Sequence, residues 1–348
     1  MRVLVCLFIG ALGLESQQQP PQAAPPAAAS QPSDPTKKPT FAIGVQEVIV
    51  PVTVVDEKGK FVSDLVQGDF QILDQGKIQN IQYFSRERAQ PVVVGILVDL
   101  SNNSRTHWKQ YQEAAMTLAS TLVPGDKRYS GYLIGYGGEA ELMVNTTNDG
   151  EKIEDKIRKL KPGGGSALYD AIYTACTKRS LVQGEPVDPR RVVVVIGDGN
   201  DNSSTHTLDQ VVELAQRNLV TVYGISTAAY GFEATGDPAL VRLAKETGGR
   251  VEYPLVNPYT DVSGYLSTPS DDGNYAYTVG GGGYTSAIAS SIFRSVANIA
   301  GEVTTQYILR YIPEVPADSV KQYRSIEVRV SLPNVTVRAR KGYYPFTP

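Results

Sequence analysis

The chain has 348 residues, 41% of them apolar and 20% charged, so it can bury a core and has room for about two domains. Its formal net charge of -3, with no long Lys/Arg run, leaves no electrostatic footprint for nucleic acid. Two cysteines, Cys6 and Cys176, cannot staple a chain of this length, which excludes a disulfide scaffold.

Met1 and Arg2 precede an apolar run at residues 3–14, too short to span a bilayer and placed as a secretory signal. Residues 1–16 are therefore expected to be a signal peptide, and the mature chain to be exported to the periplasm, the cell envelope or the medium with no membrane span after cleavage. Cys6 lies too early in the run for a lipidated cleavage site, and Cys176 then remains alone as a small buried apolar residue. Residues 17–39 are almost entirely Gln, Pro, Ala and Ser, ending in Lys37-Lys38-Pro39, and are expected to form a tether.

Residues 40–90 change to a β pattern. Val45, Val48, Val50, Val52 and Val54 form a β-branched run closed by a Glu57-Lys58-Gly59-Lys60 turn, and residues 61–65, 70–73 and 78–84 are predicted as further short strands. Residues 91–300 have another rhythm. The run at 92–97, ending in Asp99, predicts a central parallel strand covered on both faces. Helical spacing follows over 108–123, then strand 132–136, helices 153–160 and 168–177, strand 192–196, helix 208–218, strand 220–225, helix 239–247 and strand 251–253. This alternation predicts a doubly wound, mostly parallel α/β sheet of Rossmann-like type. Within it, residues 256–286 are rich in Gly and Tyr, with four glycines at Gly280 to Gly283, and are expected to be an insertion without regular structure. Ile288, Ile292, Val296 and Ile299 mark one face of a helix over 287–300. Residues 301–348 return to β with strands at 307–311, 325–330 and 335–340. A β segment at each end suggests one small all-β domain into which the α/β domain is inserted.

In such a sheet, ligands bind at the carboxyl ends of the strands. Three polar clusters fall there: Asp99-Leu100-Ser101-Asn102-Asn103-Ser104, Gly163-Gly164-Gly165-Ser166 and Gly197-Asp198-Gly199-Asn200-Asp201. Any one of them is ordinary turn chemistry. Together they offer two carboxylates with hydroxyl and amide oxygens, a hard all-oxygen set suited to Mg²⁺, Mn²⁺ or Ca²⁺. His107 and His206 have no second His or Cys at ligand spacing, so zinc is unsupported, and Asp201 is placed either behind the ligands or within its own turn.

At these residues the chain resembles the von Willebrand factor type A family, and more narrowly the bacterial exported proteins with a related domain. The resemblance covers residues 91–253. The family's metal-ion-dependent adhesion site uses an Asp-x-Ser-x-Ser loop, a Thr and a further Asp. Carried over, Asp99 and Ser101 match the first loop, Asn103 stands at its second serine, Ser166 at the threonine and Asp198 at the last aspartate, so the expected metal set is Asp99, Ser101, Asn103, Ser166 and Asp198. Ser104 is adjacent but would need a shifted backbone to substitute. The resemblance implies a bound Mg²⁺, Mn²⁺ or Ca²⁺ with one position open to an Asp or Glu of a protein partner. Residues 50–56, 69–70, 79–84 and 338–344 also resemble that bacterial group.

The expected function is metal-bridged protein recognition, without catalysis. Two other classes stay open: a metal-free structural scaffold of the envelope, and a Mg²⁺-dependent phosphoryl-transfer enzyme. The latter lacks a P-loop, since Ala167-Leu168 follows Ser166, and Asp99 has Ser101 rather than a second carboxylate two residues on.

Overall fold

The computed structural model describes residues 47–86, 91–105, 107–177, 189–228, 237–255, 272–314 and 322–345, with side chains in the sixth segment described from residue 286. The expected signal segment, the tether and the first part of the 256–286 stretch lie outside these residues.

The strands are β1 (Val48–Val55), β2 (Phe70–Asp74), β3 (Lys77–Gln79), β4 (Tyr83–Ser85), β5 (Val92–Asp99), β6 (Tyr129–Tyr136), β7 (Ala140–Thr147), β8 (Arg190–Gly197), β9 (Val220–Ser226), β10 (Val251–Glu252), β11 (Tyr307–Tyr311), β12 (Arg324–Val330), β13 (Thr336–Ala339) and β14 (Gly342–Tyr343). The helices are α1 (Trp108–Leu122), α2 (Gly150–Ile157), α3 (Leu168–Thr177), α4 (Leu208–Arg217), α5 (Asp237–Thr247) and α6 (Asp272–Thr305).

The central sheet runs β10-β9-β8-β5-β6-β7 and is parallel except for β7, which pairs antiparallel with β6. Every residue of β5 is buried. Val92, Val94, Ile96 and Val98 pack with residues of α1, α2 and α6, while Val93 and Leu97 pack with residues of α3, α4 and α5. Because successive strand side chains point to opposite faces, burial on both sides requires the uninterrupted apolar run seen in the sequence. β7 was not among the predicted strands. It is a half-exposed edge whose pairing with β6 is interrupted by register shifts, so neither continuous apolarity nor clean alternation marks it.

Two four-stranded antiparallel sheets, β13-β1-β11-β4 and β14-β12-β2-β3, each mix strands from both flanks of the α/β region. Their inner faces share a core of Val50, Val52, Ile72, Leu309, Tyr307 and Ile326. Two expectations need correction here. Residues 61–65 are not a strand: Phe61 makes a single bridge to Val55, and buried Leu65 plugs the core with its N–H donating to Tyr307 Oη at 3.1 Å. The 78–84 segment divides into β3 and β4, which belong to different sheets, so the chain crosses from one layer to the other within it.

Helix α6 starts at Asp272, fifteen residues before the predicted start, and runs through Gly280 to Gly283. Each glycine there costs about 1 kcal/mol relative to Ala, which is why the composition pointed to a loop. The packed stripe Ile288, Ile292, Val296, Ile299 and Val303 anchors the second half of the helix. Its last turn meets a buried guanidinium: Arg190 Nη2 donates to the Val303 carbonyl and Nη1 to Gln306 Oε1 at 2.9 Å. A cation at a helix carboxyl end satisfies carbonyls that have no intrahelical partner and opposes the negative end of the macrodipole.

Glu302, on the same turn, joins the layers. Its carboxylate accepts from Thr53 Oγ1 at 2.9 Å, Arg250 Nε at 2.7 Å, Arg338 Nη2 at 2.8 Å and Tyr223 Oη at 3.3 Å. These donors come from β1, the segment before β10, β13 and β9.

Inside the β layers Asp74 is fully buried and accepts from Arg324 Nε at 2.9 Å, Tyr311 Oη at 2.9 Å and Tyr343 Oη at 2.8 Å. Breaking a buried pair from one side leaves an uncompensated charge. Arg324→Met is expected to lower the unfolding free energy by about 3–5 kcal/mol, with much of the loss recovered when Asp74→Leu is added. Urea unfolding of the two variants checks this; a single-variant loss below about 1 kcal/mol, the range of an exposed pair, would contradict it.

Candidate metal site

Asp99 is the last residue of β5, and the buried strand delivers its carboxylate to the carboxyl end of the sheet with 1% of its surface exposed. The chain then turns. Leu100 N–H donates to the Tyr136 carbonyl at 2.7 Å, and residues Asn102–Arg105 form a 3-10 turn. Asp198 follows β8, the neighbouring strand, and Ser166 precedes α3; both are buried.

Main-chain hydrogen bonds lace the three loops together. Gly163 N–H donates to the Leu100 carbonyl at 2.6 Å and Asn102 N–H to the Gly164 carbonyl at 3.1 Å, joining the first loop to the second. The second is joined to the third by Asn202 and Ser203 N–H groups on the Ser166 carbonyl, and by Ser166 N–H on Asn202 Oδ1 at 2.8 Å. Two glycines are required by this closeness. Gly164 sits at φ +104°, and a Cβ on Gly197 would run into Tyr136 Oη and lie 2.9 Å from Asp99 Cβ.

The polar atoms divide into two groups. Both Asp198 oxygens already accept: Oδ1 from Asn200 N–H at 3.0 Å, Oδ2 from Asn200 Nδ2 at 2.6 Å and Asn103 Nδ2 at 3.0 Å. Ser166 Oγ donates to the Asn200 carbonyl at 2.7 Å, which leaves its lone pairs uncommitted. Asp99 is served differently. Its Oδ1 accepts from Ser101 N–H at 2.7 Å, while Asp99 Oδ2, Ser101 Oγ and Ser104 Oγ are buried and make no hydrogen bond. The two hydroxyls lie near enough to Asp99 to lower its pKa, yet neither completes a hydrogen bond with it. Tyr136 Oη is also buried without a partner, and burial, reinforced by Asp99, Asp198 and Asp201, pushes its phenol well above the ordinary range.

Buried polar groups ordinarily find partners, so orphaned oxygens gathered around one carboxylate fit an all-oxygen cation site. Among the described residues no three His, Cys, Asp or Glu side chains converge as a metal cluster, so such a site would depend on hydroxyls as well as carboxylates. Of the expected residues, Asp99, Ser101, Ser166 and Asp198 are buried in the laced loops. Asn103 is exposed and turns its amide to Asp198.

Asp201 has a structural task, accepting from Tyr169 N–H at 2.8 Å and from Ser204 Oγ at 2.5 Å, which pins the third loop to the start of α3. His206 is not a bare surface residue. Its Nδ1 lies 2.6 Å from Asp170 Oδ1 and its ring stacks on Tyr173 with centroids 3.7 Å apart. Burial alone would raise the Asp170 pKa, but the His206 ring and the Thr205 and His206 N–H groups bring it below the ordinary range. Neither this pair nor Tyr136 carries a sequence signal, since their partners are remote in the chain.

Burial, with the charge of Asp198 adding to it, pushes the Asp99 carboxyl from 3.8 up to about 6 against the pull of the Ser101 N–H. The folded state therefore holds this proton more tightly than the unfolded chain. Stability without metal is unpenalised below the unfolded value, falls as pH rises between the two values, and carries the full penalty above the folded value. Asp99→Asn keeps an oxygen for the Ser101 N–H and removes the charge. It is expected to raise the unfolding free energy of metal-free protein by roughly 2–3 kcal/mol at pH 8, with no gain below about pH 4. Urea unfolding in chelator at several pH values tests this, and a destabilised variant at pH 8 would refute it.

Residues 94–257 match the family model described as von Willebrand factor type A domain. Curated relatives include a UPF0353 protein of Mycolicibacterium paratuberculosis, 27% identical over 125 residues, covering 34% of this chain and 37% of the relative. A UPF0353 protein of Mycobacterium leprae is 26% identical over 155 residues, covering 38% and 45%. The matched region thus spans less than half the length of these relatives. Solved structures include an aerotolerance-related membrane protein from Bacteroides fragilis, with TM-score 0.38 and 22% identity over 46% of this chain and 90% of that one. Proximal thread matrix protein 1 of the mussel byssus, with a zinc-occupied MIDAS motif, has TM-score 0.39 and 12% identity over 52% and 46%. Over residues 94–257 the chain is thus similar to the von Willebrand factor type A domain.

Proposed function

We propose that this domain is a metal-dependent protein-recognition module of an exported protein, binding Mg²⁺, Mn²⁺ or Ca²⁺ at the ends of β5 and β8 and, through the ion, an Asp or Glu of a partner. The observation that supports it most is the buried Asp99 Oδ2 beside the unpartnered Ser101 hydroxyl, where the loops bearing Ser166 and Asp198 close in. A dication there would supply the charge compensation that the protein itself does not give Asp99, and hydroxyl lone pairs would complete part of its shell. With at most two carboxylates around it, the ion would retain affinity for an external carboxylate. The apolar leader at residues 3–14 supports export.

Metal binding to the folded state alone stabilises it. Mg²⁺ or Mn²⁺ at a hundred times its dissociation constant is expected to add about 2.7 kcal/mol, and Asp99→Asn to abolish that increment. Calorimetric titration together with thermal unfolding measures both. Neither heat nor a shift for Mg²⁺, Mn²⁺ or Ca²⁺ would leave the metal-free scaffold as the better reading.

Partner chemistry is tested separately. Peptides selected from a display library on Mg²⁺-loaded protein are expected to contain Asp or Glu and to be released by chelator. Retention after chelation, or selection of peptides without a carboxylate, would overturn acidic recognition while leaving metal binding intact.

A further inference from the structure

The first loop departs from the family's spacing at Asn103, and the local backbone offers a replacement. We infer that Ser104, not Asn103, supplies the second side-chain oxygen of this loop to the metal, and that Asn103 instead fastens Asp198; the inference rests on the metal-binding reading above.

Residues Asn102–Arg105 form a 3-10 turn, and Ser104 N–H donates to the Ser101 carbonyl at 3.2 Å. With three residues per turn, side chains at positions i and i+3 eclipse. Ser101 immediately precedes this turn and is tied to Ser104 across it by that hydrogen bond, while Asn103 lies within the turn between them. Burial agrees with that geometry. Ser101 and Ser104 are each 3% exposed, and Asn103 is exposed. An Asp-x-Ser-x-Ser loop places its second hydroxyl two residues after the first; here the next buried hydroxyl is three residues on.

Chemistry separates the two residues further. Ser104 Oγ is buried, close to Asp99 and without a hydrogen-bond partner, so its lone pairs are available beside the carboxylate. Asn103 approaches Asp198 Oδ2 at 3.0 Å, and an ionised carboxylate only accepts, so the amide must turn its NH₂ toward it. With Nδ2 committed to Asp198, only the amide oxygen of Asn103 remains for a cation, and it sits on an exposed side chain rather than a buried one. Asn103 and Asn200 together hold Asp198 Oδ2, which leaves Asp198 oriented as a charge behind the site.

The test uses the full chain, Mn²⁺ titration and metal-free thermal unfolding. Ser104→Ala is expected to weaken Mn²⁺ binding about tenfold or more, and Asn103→Ala to weaken it less than Ser104→Ala does, because Asn200 still holds Asp198 Oδ2. Because it removes a buried hydroxyl with no partner, Ser104→Ala is also expected to leave the metal-free melting temperature unchanged or higher; a purely structural serine would lower it. As a direct signature, Ser104→Cys with Cd²⁺ is expected to give the ligand-to-metal charge-transfer absorbance of a Cd–thiolate bond, which neither parent nor Asn103→Cys shows. Parent protein that binds Mn²⁺ while Ser104→Ala binds it equally well, or a Cd–thiolate band from Asn103→Cys instead, would overturn this inference alone. Parent protein that binds no Mn²⁺ would overturn it together with the metal-binding reading.

Discussion

A carboxylate that its own fold does not compensate governs the arrangement of the site. Asp74, Glu302 and Asp99 are all buried, as is Asp198 beside the last of them, and their treatment differs. Asp74 receives Arg324 and two tyrosine hydroxyls, and Glu302 receives Arg250, Arg338, Thr53 and Tyr223. Asp99 receives one backbone N–H on Oδ1 and, among the described residues, no ion pair. Taking a carboxylate out of water without a counter-charge is costly, so Asp74 and Glu302 read as structural, and on the proposed reading Asp99 takes its counter-charge from a bound cation. Its position follows from β5: a strand covered on both faces must bury whatever residue ends it. The loops laced by Gly163, Asn102 and Asn202 then keep solvent from reaching that end.

The same electrostatic logic, with opposite sign, joins the β layers to the α/β sheet. Arg190 and Arg340 are both buried, and neither meets a carboxylate among the described residues. Arg190 reaches the last turn of α6, and Arg340 donates to the Leu219 carbonyl at 3.1 Å, two residues beyond the end of α4. Burial holds the Arg340 pKa down at about 10, with Tyr311 partly offsetting it. The Val303 carbonyl is one of those left over at a helix carboxyl end, unpaired and at the negative end of the dipole, whereas the Leu219 carbonyl lies in the segment after α4. Arg340 follows β13, while Thr53 and Arg338, which reach Glu302, come from β1 and β13. The strand pairing of the flanks and the termini of α4 and α6 therefore depend on one another.

Much of this was legible in the residues. The run at 92–97 specified a doubly covered strand, and the polar clusters after it and after β8 fell at strand ends because a parallel sheet places all those ends on one side. What the sequence did not disclose depended on geometry between remote or very near residues. Edge strand β7 has no clean period, residues 61–65 have strand composition but serve as a plug, and α6 continues through glycines that propensity counts against. The Asp170–His206 pair joins positions 36 apart. At the site the proposed reading turns on a single turn type: family spacing would put Asn103 at the metal, and the 3-10 turn favours Ser104. Composition does not choose between these, and the proposed reading rests on the turn that the Ser104 N–H to Ser101 carbonyl bond closes.

That turn also bears on what a bound ion would present outward. Asp198 spends both oxygens on amide donors from Asn103 and Asn200, so much of its charge is already screened by hydrogen bonding. On the proposed reading, Asp99 is then the one carboxylate with an oxygen in reserve, and hydroxyls, which carry no formal charge, fill the neighbouring positions. A dication so held keeps a net positive field at its open side, strengthened because the surrounding loops exclude water. An incoming carboxylate would gain most from such a centre. A neutral oxygen of a partner would gain little over water, so selectivity for acidic side chains follows from how few of the protein's own charges remain free at the site.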